Sequence, residues 1–190
     1  MEPSQAETKE LKEDIFFGQV IIIWARWFVV LGVAAVILLN VKEGKDLFLG
    51  LIPILLMMLM NFFVHGSYLM EKPIGQGLII ITSIIDLILI SLMVILGPVG
   101  KYFDSQLFVF YYPIVLAFAF IMPRKWAIGY TVAIIVIYLG ICLFDIGQID
   151  GREMFARLLT LGGTGGLGSF YWRIMRRRRR VALGDSNLRK

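Results

Sequence analysis

The chain has 190 residues, of which 58% are hydrophobic, and a mean hydropathy of +0.80, so it carries too little polar side chain to cover a water-soluble domain of its size. Its net charge of +5 would suit nucleic acid, but the excess sits in the run Arg176 to Arg180 beside an apolar stretch. Anionic lipid headgroups are the natural partner of such a run, and nucleic acid is not. A single cysteine, Cys142, excludes an intrachain disulfide and reads as a small buried apolar residue.

The N-terminus is acidic at Glu2, Glu7, Glu10, Glu13 and Asp14, and no small-residue cleavage site follows the first apolar stretch. That stretch is therefore expected to remain in the mature protein rather than leave as a signal peptide. Ser4-Gln5-Ala6-Glu7 has capping-box spacing, which predicts a short cytoplasmic helix or an extension of the first span. Six apolar stretches follow, at Phe16–Leu39, Leu47–Met70, Gly77–Leu96, Gln106–Met122, Lys125–Phe144 and Met154–Met175. About 20 apolar residues cross the hydrocarbon of a bilayer as a helix. Lipid admits only helices and closed barrels, and these stretches lack the alternation of barrel strands. The expected fold is all-α: a polytopic bundle of six transmembrane helices over 16–175, between an N-terminal segment 1–15 and a basic tail 176–190. Pro53 and Pro113 lie within spans and are expected to kink them.

Placing the arginine run in the cytoplasm puts the N-terminus there as well. Thirteen Lys and Arg then face inward, and only Lys42, Lys45, Lys101 and Arg152 face outward, as the positive-inside rule requires. The expected location is a bacterial cytoplasmic (inner) membrane with both termini cytoplasmic.

Two charges fall inside the spans. Counted from the cytoplasmic ends, Arg26 lies about ten residues up the first span and Asp86 about nine up the third, so a rise of ~1.5 Å per residue brings them to one depth. A charge near the bilayer centre costs ~2.5–3.5 kcal/mol on insertion scales, so the two are expected to face inward and pair. Asn61 reaches similar depth on the second span, and His65 lies one turn nearer the cytoplasm. Trp24 and Trp27 flank Arg26 and are expected to form an apolar stacking wall beside the charge. The cluster reads either as a lock between helices or as a site for a ligand, a quinone or a proton. His65 is the only histidine, which excludes a bis-histidine haem within the chain; a role in the polar network or at the interface is expected.

Aromatic belts are expected from Tyr102, Phe103, Tyr111 and Tyr112 toward the outside and from Trp126, Tyr130, Tyr171 and Trp172 toward the cytoplasm. In the sixth span, Gly163 to Gly168 matches G-x-G-x-x-G, but no strand precedes it, so dinucleotide binding is not expected. Gly162-x-x-x-Gly166 and Gly165-x-x-x-Ser169 instead offer a small-residue helix face for close packing, inside the bundle or against a second chain. Arg173, Arg176, Arg177, Arg178, Arg179 and Arg180 are expected to bind anionic lipid of the cytoplasmic leaflet. No span supplies a nucleophile and base, a metal cluster or a second intramembrane acid, so the chain is not expected to be an enzyme or to hold a metal.

At Trp24-Ala25-Arg26-Trp27-Phe28, at Tyr111-Tyr112-Pro113-Ile114-Val115-Leu116-Ala117, and at the exit Arg173-Ile174-Met175-Arg176 through Arg180, the chain resembles the six-helix membrane sensor (input) domain of bacterial histidine kinases. The redox-responsive branch of that family opens its first helix with an Arg-Trp pair, matched here by Arg26 and Trp27. The resemblance implies an input domain that binds quinone or responds to membrane state. In the family the basic exit leads into a signalling helix, a phosphoacceptor-histidine helix and an ATP domain, whereas Val181 to Lys190 follow here, so kinase activity is not expected. Two functions are consistent with this. One is a sensor-like module acting through partner proteins or as a homo-oligomer. The other is an accessory or assembly subunit of a larger respiratory or photosynthetic membrane complex engaged in electron transport.

Overall fold

A computed structural model describes residues 5–41, 44–70, 74–97, 104–144 and 150–187; within these, side chains are described from 18 to 171, save 46 and 49, and at 174. Among the described residues the chain is all-helical, without strands. Six α-helices follow one another: α1 (Gln5–Asn40), α2 (Gly44–Leu69), α3 (Gln76–Leu96), α4 (Tyr111–Ile121), α5 (Arg124–Cys142) and α6 (Gly151–Asn187). A 3-10 segment, Gln106–Phe110, leads into α4.

Among the described residues, four helical stretches are long and apolar enough to cross a membrane: Gly18–Asn40, Gly50–Leu69, Gln76–Leu96 and Arg124–Cys142. The other two expected spans fall short for different reasons. Gln106–Ile121 is apolar but shorter, because Pro123 starts a new helix almost at once. In α6, the glycines, Arg157, Thr160, Thr164 and Ser169 dilute the apolar residues among the side chains described up to Tyr171. The boundaries expected after residues 15 and 175 both fall inside unbroken helices, α1 and α6. Pro113 lies in the first turn of α4, just after the 3-10 segment gives way to α-helix at Tyr111, where a missing N–H costs least. Pro53 lies inside α2.

Contacts along the chain set the helix directions. Gly18 of α1 meets Ile121 and Gly32 meets Phe110, so α1 runs antiparallel to the segment holding α4. At Gly32 a Cβ would stand 2.5 Å from the Phe110 ring, and this close approach is possible because the residue has none. Gln19 bonds Val64 while Asn61 bonds Ile23, which makes α2 antiparallel to α1. Arg157 bonds Tyr138 and Gly165 abuts Thr131, which does the same for α5 and α6. The start of α1 and the end of α6 therefore lie at one end of the bundle.

α4 packs against α1, α3, α5 and α6, with Tyr111, Ile114, Val115, Ala117, Phe118 and Ala119 buried. The core around it includes Val29, Val33, Ile37, Met57, Ile90, Val94 and Ile134. The outward faces are also apolar: Leu39 is 84% exposed, Ile88 58% and Leu167 71%. Water-soluble monomers rarely show so large a continuous apolar exterior, and lipid contact accounts for it.

Candidate functional site

The inner face of α1 repeats at helical spacing through Gln19, Ile22, Ile23, Arg26, Val29, Val30, Val33 and Ile37, all buried. Arg26 thus sits in the middle of an apolar stripe, pointing into the bundle. On α3 the buried face carries Ile79, Thr82, Ser83, Asp86, Ile90 and Met93. On α2 it carries Met57, Asn61 and Val64. These three faces bring Arg26, Asp86 and Asn61 to one level.

Arg26 donates from Nε to Asp86 Oδ2 at 2.6 Å, with both side chains 3% exposed. Asn61 donates from Nδ2 to the Ile23 carbonyl at 3.4 Å. The guanidinium engages through its side rather than its fork, and through one carboxylate oxygen. Arg26 Nη1 and Nη2, Asp86 Oδ1 and Asn61 Oδ1 are consequently buried without a hydrogen-bond partner among the described residues. A side-on bidentate contact would have used two of these atoms at once.

Polar contacts continue above and below this level. Toward the start of α1, Gln19 donates to Val64 O at 3.2 Å and accepts from the Ile74 N–H at 3.4 Å, tying α1 to α2 and to the α2–α3 connection. Near the ion pair, Tyr130 donates to Ser83 O at 2.8 Å and its ring stacks on Phe118 at 4.1 Å. Toward the other end, Ser91 Oγ and Tyr111 Oη share a 2.8 Å hydrogen bond. Beyond it Arg157 donates to Tyr138 Oη at 2.7 Å, pairs with Glu153, and lies 4.1 Å over the Phe108 ring.

The other expected residues are distributed differently. Trp24 is 71% exposed and faces away from Arg26, because two residues on a helix lie on opposite sides; the stacking wall does not form there. Trp27 is half-buried and meets Phe62 edge-on at 5.2 Å. His65 is half-buried, and its ring meets Tyr68 at 6.4 Å. The sixth-helix small residues form two faces rather than one. A Cβ at Gly165 would run into Thr131 Oγ1, and Ser169 is buried, whereas Gly162 and Gly166 have open space beside them.

Of the expected belt residues, Tyr111 and Tyr130 are buried instead, since Ser91 and Ser83 O supply partners for their hydroxyls. Trp126 and Tyr171 are exposed, while Tyr102, Phe103 and the Trp172 side chain lie outside the described residues. The side chains of Arg173, Arg176, Arg177, Arg178, Arg179 and Arg180 also lie outside the described residues, on the backbone of α6.

Sequence reasoning passed over Gln19 and Arg157. Each carried a signal: Gln19 stands two turns before Arg26 on the same face, and Arg157 lies just inside the sixth apolar stretch with Glu153 four residues before it. Comparison with known protein families, curated proteins and solved structures finds no match for the chain.

Proposed function

We propose that this is a six-span, non-catalytic protein of a bacterial inner membrane, with both termini cytoplasmic, working as a sensor-like module that passes the state of a buried polar centre to partner proteins. The observation that carries this reading is the Arg26–Asp86 pair: two charges at 3% exposure, with three of their own polar atoms and Asn61 Oδ1 unpartnered among the described residues. A lock between helices gains most by closing every hydrogen bond, whereas a receiving site keeps some open. A quinone is the lipophilic ligand class that the kinase-sensor resemblance implies, and its carbonyl oxygens would accept from Arg26 Nη. The partner side of the proposal rests on Gly162 and Gly166, beside which a neighbouring helix finds room. The arginine run would hold the end of α6 at the anionic leaflet, at about 1 kcal/mol per residue.

The second reading is an accessory or assembly subunit of a respiratory or photosynthetic complex. The same outward part of α6 favours it, and it needs no ligand. Gentle extraction from native membranes, followed by identification of co-purifying proteins and lipophilic cofactors, separates the two. A signalling partner with a bound ligand supports the first, and electron-transfer subunits without one support the second. The variant carrying Gly162→Leu and Gly166→Leu should release the partner with the bundle still folded. A lone chain without protein or ligand would overturn both readings.

A further inference from the structure

The three side chains of the buried centre ask for a particular kind of neighbour. Arg26 and Asp86 are each 2% exposed and Asn61 is fully buried. The two Nη atoms of Arg26 carry four N–H donors, while Asp86 Oδ1 and Asn61 Oδ1 accept only. Whatever completes the centre must accept on one side and donate on the other. A carbonyl, carboxylate or phosphate accepts only, so even a carbonyl held by Arg26 Nη leaves both oxygens to be served by a donor. A metal ion or ammonium would serve the oxygens but meet the guanidinium charge. Arg26 and Asp86 already cancel, so any charged guest would bring an uncompensated charge into the apolar core.

Tyr130 gives its hydroxyl hydrogen to Ser83 O, one turn before Asp86, and so serves neither oxygen. Water has two donors and two acceptors and needs the least room of any candidate. Leaving buried polar atoms unpaired costs more than ordering such a molecule.

We infer that the Arg26–Asp86–Asn61 centre is a binding site for internal water, with at least one molecule donating to Asp86 Oδ1 and Asn61 Oδ1 and accepting from Arg26 Nη. α1, α2 and α3 are then joined through a shared water as well as through the direct ion pair. The inference does not depend on the sensor reading.

Water-edited solid-state NMR of the isotope-labelled full chain in lipid bilayers tests it. The side-chain carbonyl carbons of Asp86 and Asn61 should receive magnetisation from water several-fold faster than the methyl carbons of the equally buried Ile90 and Val94. Asn61→Leu should slow the transfer to Asp86. Sequential assignment of the wild type identifies the signals even if that variant fails to fold. Transfer no faster than to Ile90 overturns the inference and leaves co-purification of partners unaffected. A lipophilic molecule present at one per chain, with its own protons against these two carbons, also overturns it while supporting a ligand-binding sensor.

Discussion

Arg26 holds Asp86 by Nε, 2.6 Å from Oδ2, joining the buried faces of α1 and α3. α2 and α4 each pack against both α1 and α3, so the ion pair closes a ring of four helices from the inside. Its removal is therefore felt by elements that do not carry either charge.

Asp86→Leu strands a guanidinium, and Arg26→Leu strands a carboxylate. Each single change should cost about 3–5 kcal/mol, while the double replacement, which removes both charges, should be more stable than either. Unfolding in detergent, followed by temperature or denaturant, reads the difference. Losses that simply add would show that the two residues do not stabilise one another.

The hydrogen bond between Ser91 and Tyr111 joins α3 to the beginning of α4, and both residues are buried. Tyr111→Phe should destabilise by about 1 kcal/mol, because Ser91 Oγ loses its cross-helix partner. Adding Ser91→Ala to that variant should cost little more. An equal further loss in the double-mutant cycle would mean that the two hydroxyls act independently.

The glycines of α6 should separate by face. Gly165→Ala drives a methyl into Thr131, and overpacking of this kind costs about 1–3 kcal/mol. Gly166→Ala enters open space and should leave bundle stability within about 0.5 kcal/mol of wild type. Melting curves of the two variants in the same detergent give the comparison. The opposite ranking would place α6 in a different rotation about its axis.

Orientation is open to cysteine labelling in a Cys142→Ser background. A cysteine at Gly44, the first residue of α2, should react with an impermeant reagent added outside, and one at Gln5 should react only after permeabilisation. The reverse pattern would invert the proposed topology.

Hydropathy is a local property, which is why six apolar stretches and an all-helical fold could be read from residue order alone. Depth was equally legible for Arg26 and Asp86: helical rise is constant, so counting residues from the span ends brings the two charges together. Rotation about each helix axis was not legible. These helices are apolar toward lipid as well as toward the core, so little contrast marks the inner face, and only packing decided that Trp24 turns outward while Tyr111 and Tyr130 turn inward. The same uncertainty merged two faces of α6, which Thr131 separates by pressing on Gly165 and not on Gly166. The enclosure of α4 likewise depends on how four other helices surround it, and its own residues do not encode that arrangement. The side-on grip of Arg26 on Asp86 is tertiary too: α2 and α4 each pack against both α1 and α3, and residue order does not say which guanidinium nitrogen meets the carboxylate.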